Sequence, residues 1–158
     1  MVCIEAGLYE KPYACVQCAA MSLPPEEMPP NSPPQYDLRF SDRGDYLRVE
    51  LSGPGDSLEV SLAYWNDIAA ECERRGTRAL LVLDLFENEP LKPSEMDQVI
   101  EAMRDSYMRR VRVAYCELNS AVVSQAEYGE LTAREMGFTV RVFASEQQAE
   151  LWLRYGES

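Results

Sequence analysis

The stretch that most constrains the fold is RALLVLDLF, from Arg78 to Phe86. It is a near-continuous apolar run of strand length, preceded by Gly76 and followed by the loop from Glu87 to Pro93, which carries two prolines. A strand that is apolar on both faces has to be covered on both, which places it at the centre of a sheet with helices packed against it. The rest of the pattern arranges itself around that strand.

Upstream, YDLRF at 36–40 and YLRVEL at 46–51 alternate apolar and polar residues across the turn-rich SDRGD, the signature of a β-hairpin. After Gly53-Pro54-Gly55, apolar residues recur at Leu58, Leu62, Trp65, Ile68, Ala69 and Cys72, spaced for one helical face that Gly76 terminates. Downstream, SEMD at 94–97 reads as a capping box with Asp97 in the place of the usual Glu or Gln, and Met96, Val99, Ile100 and Met103 supply the apolar face of a second helix. VRVAYC at 111–116 predicts the next strand. Asn119 or Ser120 is placed to cap a third helix ending at Gly137, 138–143 predicts the last strand, and Ser145 caps a final helix through Ala149, Leu151, Trp152 and Leu153. The expected class is α/β, in the order β-β-α-β-α-β-α-β-α, with a five-stranded sheet that is mixed and mostly parallel, joined by right-handed crossovers.

Residues 21–35, MSLPPEEMPPNSPPQ, lose backbone donors at each proline and are disfavoured from helix before it. The expected organisation is a disordered proline-rich extension over 1–35 and a folded domain over 36–158. Residues 1–20 show neither periodicity, and Met21 could serve as the initiator.

Asp and Glu number 27 against 15 Lys and Arg in 158 residues, a net charge of −12. That balance opposes binding to nucleic-acid phosphates and to anionic membrane surfaces. No apolar run approaches transmembrane length, and Glu5, Glu10 and Lys11 interrupt any secretory signal, so a cytoplasmic protein is expected. The five cysteines, an odd number, are expected to be reduced, with Cys72 and Cys116 in the core.

The element order, the strand ending in Leu83-Asp84-Leu85, and the layout of Arg112 to Cys116, Tyr128-Gly129-Glu130, Met136 to Phe143 and Glu146 to Leu153 resemble the STAS domains, most nearly their SpoIIAA-like branch. The resemblance spans about residues 36–155 and rests on order and loose patterning. It implies a regulatory or interaction module that is not an enzyme. In the anti-sigma factor antagonists of that superfamily a serine at the start of the helix after the third strand is phosphorylated. Ser94 holds that place here, inside KPSEM rather than Asp-Ser-x-Gly, and Glu95 and Asp97 would repel a phosphate. The resemblance thus points to a protein partner or small ligand near Asp84, Glu87, Ser94 and Asp97. The alternative is a carrier or sensor of an apolar small molecule in a pocket of several hundred cubic ångströms between the sheet and the second and third helices.

Other constellations give weaker signals. Cys15 and Cys18 have the spacing of half a zinc or redox site, but no histidine and no second such pair exist to complete it. Without histidine the commonest general base is missing, and no metal or cofactor is expected. Asp84 with Glu87 or Glu89, at a strand's carboxyl end, would serve a hydrolase only if the carboxyl groups converge in a cleft. Gly53-Pro54-Gly55 reads as a turn rather than a phosphate cradle. The cluster Arg104, Arg109, Arg110 and Arg112 reads as structural. Tyr107, Tyr115, Tyr128, Trp152 and Tyr155 read as core. An exposed helix or edge strand would allow a homodimer.

Overall fold

A computed structural model describes residues 35–87 and 90–156, which belong to the unit Pro34–Ser158. The extension at 1–34, including Cys15 and Cys18, and Glu89 in the loop after the third strand lie outside the described residues. The elements are β1 (Asp37–Asp42), β2 (Leu47–Ser52), α1 (Leu58–Arg75), β3 (Ala79–Asp84), α2 (Pro93–Ala102), β4 (Arg112–Glu117), α3 (Val123–Glu135), β5 (Thr139–Phe143) and α4 (Glu146–Tyr155). Single 3-10 turns at Tyr107–Arg110 and Ser120–Val122 flank β4.

The sheet runs β1-β2-β3-β4-β5, with β1 antiparallel to β2 and every later pair parallel. Sequential parallel strands joined by crossovers of one hand place all the crossover helices on one face. Hence α1, α2 and α3 share a face, and α4, which follows the last strand, covers the other. The alternation of β3 serves both. Leu80 and Val82 enter the core under α1 with Val49, Leu51, Ile68 and Cys72. Leu81 and Leu83 enter the second core with Ala114, Cys116, Ala149 and Leu153 under α4. Burial pushes the thiols of Cys72 and Cys116 up to about 11 and about 12, so both stay protonated.

Local signals explain most boundaries. The Ser57 side chain accepts from the Val60 amide (3.2 Å) to open α1. The helix closes on Gly76 at φ 67°, with Gly76 N–H donating to Glu73 O (3.2 Å) and Thr77 N–H to Cys72 O (2.8 Å), the double bond of a Schellman motif. Ser145 accepts from Gln148 (3.2 Å) at α4, and Asn119 accepts from Ala121 (3.0 Å), capping the 3-10 turn that leads into α3.

Two expectations need correction. Ser94 does not cap α2. Lys92 is the cap, Pro93 is the first helical residue, and the returning bond of the capping motif runs from Lys92 N–H to Glu95 Oε2 (3.0 Å), so Asp97 has no part in it. The reason is that proline's fixed φ and missing N–H suit the first helical position, which moves the helix start toward the N-terminus. The buried face of α1 is also rotated from the predicted one. Val60, Ser61, Tyr64, Ile68, Ala69 and Cys72 are buried, whereas Leu62 and Trp65 are only half-buried.

The arginines of the sequence cluster are each engaged separately. Arg104 pairs with Glu101 (2.7 Å), Arg109 donates to Met136 O (3.0 Å), Arg110 lies over Tyr107, and Arg112 lies 4.4 Å over the Trp152 ring while donating to Trp152 O (3.0 Å) near the end of α4. No described helix is long and apolar enough to cross a membrane.

Candidate functional site

Side-chain parity carries one stripe of residues from each parallel strand toward α1–α3. On β3 the stripe is Leu80, Val82 and Asp84; on β4 it is Val113, Tyr115 and Glu117. The two strands pair in register, Val82 beside Tyr115 and Asp84 beside Glu117. A row of two carboxyl groups therefore ends the inner face of the sheet at the carboxyl ends of neighbouring parallel strands, where open α/β sheets place ligands.

A third carboxyl group arrives from the other side. Gly53 follows β2 at a place where an added Cβ would lie 2.9 Å from the Phe86 ring and 3.0 Å from Gln35 O, so only glycine lets these segments approach. The loop it opens brings Asp56 to the start of α1, where its Oδ1 accepts from the Ser57 amide (2.7 Å) and the Ser61 hydroxyl (2.8 Å), and its Oδ2 accepts from the Tyr64 hydroxyl (3.3 Å). Asp84 accepts from the Phe86 amide (2.9 Å) through Oδ1 and from the Tyr115 hydroxyl (2.5 Å) through Oδ2. Glu117, 8% exposed, accepts from the Asn119 amide (2.8 Å) through Oε1.

These groups border a cavity of 180 Å³ between the sheet and the three helices. Its walls are largely apolar. Helix α1 contributes Tyr64 and Trp65, α2 contributes Met96, Val99, Ile100 and Met103, and α3 contributes Ala126, Gly129 and Ala133. Val113, Val140 and Val142 form its floor. The Trp65 and Tyr115 rings stack with centroids 6.5 Å apart, and Tyr64 lies 6.0 Å from Phe86, giving the acidic end an aromatic rim.

Desolvation raises the carboxyls of Asp56, Asp84 and Glu117 above their ordinary values, against the hydrogen bonds that favour their ionised forms, and the negative charge of Asp84 raises Glu117 further. Desolvation beside those carboxyls pushes the phenols of the buried Tyr64 and the half-buried Tyr115 well above the usual tyrosine value, and both serve as donors. Among the described residues no lysine or arginine lines the cavity, and no group of three acidic or thiol side chains is placed to hold a metal ion. The site can offer an apolar enclosure with hydrogen-bond acceptors at one end.

Of the four residues expected at a binding site, Asp84, Glu87, Ser94 and Asp97, only Asp84 lies in this one. Glu87 and Ser94 are exposed and outside the cavity lining, and Asp97 is exposed and accepts from the Tyr128 hydroxyl (3.0 Å) on the outer side of α2 and α3. Of the five aromatics expected in the core, Tyr115 lines the cavity, Tyr107 packs against the first core, Trp152 packs from α4 against the second, and Tyr128 and Tyr155 are exposed. The carboxyl groups that join Asp84 are Asp56 and Glu117, which the sequence reading passed over. Parity would have found Glu117, since 113, 115 and 117 share a face. Asp56 had no comparable signal, because its position depends on how the loop at 53–56 turns. No family model matches the chain, and no curated protein does.

Proposed function

We propose that this domain binds a small, largely apolar molecule between the sheet and α1–α3, acting as a carrier or sensor rather than as an enzyme. The observation behind this reading is the 180 Å³ cavity walled by Trp65, Met96, Ile100, Ala126 and Val142, on the sheet face opposite the core of Leu81, Leu83, Ala114 and Ala149. The volume is smaller than the several hundred cubic ångströms expected of a carrier of large ligands. An apolar cavity of about 150 Å³ is enough to hold benzene in another protein, so a ligand with a single ring or a short branched chain is the matching size. A larger lipid is not.

The carboxyl groups alone do not favour hydrolysis. Each of the three is engaged by a backbone amide that orients it as an acceptor, and the Ser61 hydroxyl beside them is fully buried and donates to Asp56. A STAS-like interaction module reading Ser94 draws support from that residue's exposure near the start of α2. Less favourable to it, Met96, Val99 and Ile100 face the cavity instead of forming an apolar patch beside Ser94.

The test is binding of toluene to the purified full-length protein, followed by the shift of the methyl signals of Met96, Met103, Val140 and Val142 in a protein NMR titration. Saturable shifts confined to these residues are expected. Ala126→Leu, which fills the cavity from α3, should abolish them while leaving the spectrum of the α4 face unchanged. Shifts that persist in that variant would place any binding elsewhere.

A further inference from the structure

Among the described residues, four carboxyl side chains border the cavity, Asp56, Asp84, Glu117 and Glu130, and no lysine or arginine does. Glu130 is already committed, since its Oε2 accepts from the Val142 amide (2.6 Å) at the sheet edge and its Oε1 pairs with Arg134 (3.3 Å). The hydroxyl protons of Tyr115 and Ser61 are directed at Asp84 and Asp56. That leaves Glu117. It is more than nine-tenths buried, it borders the cavity, and its Oε2 takes no hydrogen bond from any described residue. Its register partner Asp84 sits one strand away, about 4.8 Å along the ladder.

We propose that the cavity selects a ligand bearing a protonated primary amine on a small apolar body, with the ammonium group seated against Glu117 and Asp84 and the apolar body against α2 and α3. The proposal rests on the reading of the cavity as a ligand site and adds the chemistry of the head group. An ammonium carries three donors and no acceptor, which matches an acidic end that has acceptors to spare and hydroxyl protons already spoken for. A carboxylate or phosphate ligand of the same size would meet only like charge and no free donor. A bare metal ion would lose its hydration to largely apolar walls, with no third ligand in place among the described residues. A buried carboxylate is costly to leave without a cation, and a cation that enters with the ligand offsets that cost only in the bound state.

The test uses four probes of one shape, toluene, benzyl alcohol, benzylammonium and benzoate, titrated into the full-length protein by calorimetry. Benzylammonium is expected to bind about ten-fold or more tighter than toluene, from one or two charge-assisted hydrogen bonds, and benzoate not at all. Glu117→Gln should lower the ratio of benzylammonium to toluene affinity about ten-fold, and Asp84→Asn should do the same, with near-ultraviolet dichroism checking that each variant is folded. If toluene, benzyl alcohol and benzylammonium bind alike, or the ammonium preference survives both substitutions, the head-group assignment is wrong while the cavity reading stands. If no probe binds wild type, the cavity reading itself falls, and this inference with it.

Discussion

The two faces of the sheet are built from alternate residues of the same strands, yet they treat buried charge in opposite ways. On the face covered by α4, Arg48 is almost fully buried on β2 and is bonded to Glu50 (2.7 Å) and to Glu146 at the start of α4. Its cation brings Glu146 below the ordinary glutamate value, and the core beside it is filled by Leu81, Leu83, Ala114 and Ala149. On the face covered by α1–α3, Glu117 is buried and Asp84 half-buried with no lysine or arginine among the described residues of the cavity lining, and desolvation drives both the other way. A buried charge that finds its partner inside the chain serves the fold. Buried charge of one sign around a cavity destabilises the fold and is better accounted for by something that enters.

The largest expected effect comes from breaking the paired face. Arg48→Ala leaves Glu50 and Glu146 without their cation, and urea denaturation at pH 7 should show a loss of about 3 kcal/mol, part of which Glu146→Gln restores. A loss below about 1 kcal/mol would class the pair with surface ion pairs and weaken the contrast.

Next in size is a packing test. Ala149→Leu forces three more carbons into the closed face and should cost about 2 kcal/mol, whereas Ala126→Leu points into the cavity and should change stability by less than about 1 kcal/mol. Equal losses would mean that the two faces are packed alike.

The smallest effect is the pH dependence, and it sharpens the comparison because the two faces contribute with opposite signs. Asp56, Asp84 and Glu117 have folded values raised above their ordinary 3.8, 3.8 and 4.5, so their ionisation disfavours the fold at neutral pH. That penalty is relieved as pH falls through the raised values toward the ordinary ones. Glu146 is lowered by Arg48, and Glu71 is lowered to about 2 by Arg74 and Arg75; their stabilisation is present above 4.5 and is lost as pH falls through their folded values. Denaturation midpoints measured from pH 7 to pH 3 should therefore rise on the acid side of neutrality and decline below about 4.5. Asp84→Asn should raise the midpoint at pH 7 and flatten that rise; an unchanged profile would show that Asp84 is not desolvated in solution.

Much of the fold was legible because the signals are local. Ser57, Ser145 and Asn119 accept from amides two or three residues ahead, and Gly76 closes α1 with a left-handed turn, so a reader of the chain sees the donor and the acceptor together. At α2 two local signals competed, and Pro93 outweighed Ser94 as the marker of the helix start. On α1 the apolar spacing pointed to Leu62 and Trp65, but the buried stripe runs through Ser61 and Tyr64, because a serine and a tyrosine held by Asp56 can face the core and hydropathy scores them as polar.

By itself, then, the sequence determined the α/β class, the element order, the central place of Ala79–Asp84 and the Ser145 cap of α4, because periodicity and capping depend on residues close along the chain. The parallel register decided what periodicity could not. It set Asp84 beside Glu117, whose residues lie far apart in the chain, and the Gly53 loop brought Asp56 to the same end of the cavity. Which carboxyl groups share a low-dielectric enclosure is a property of distance in space, and only the packing of three helices on one sheet face defines it.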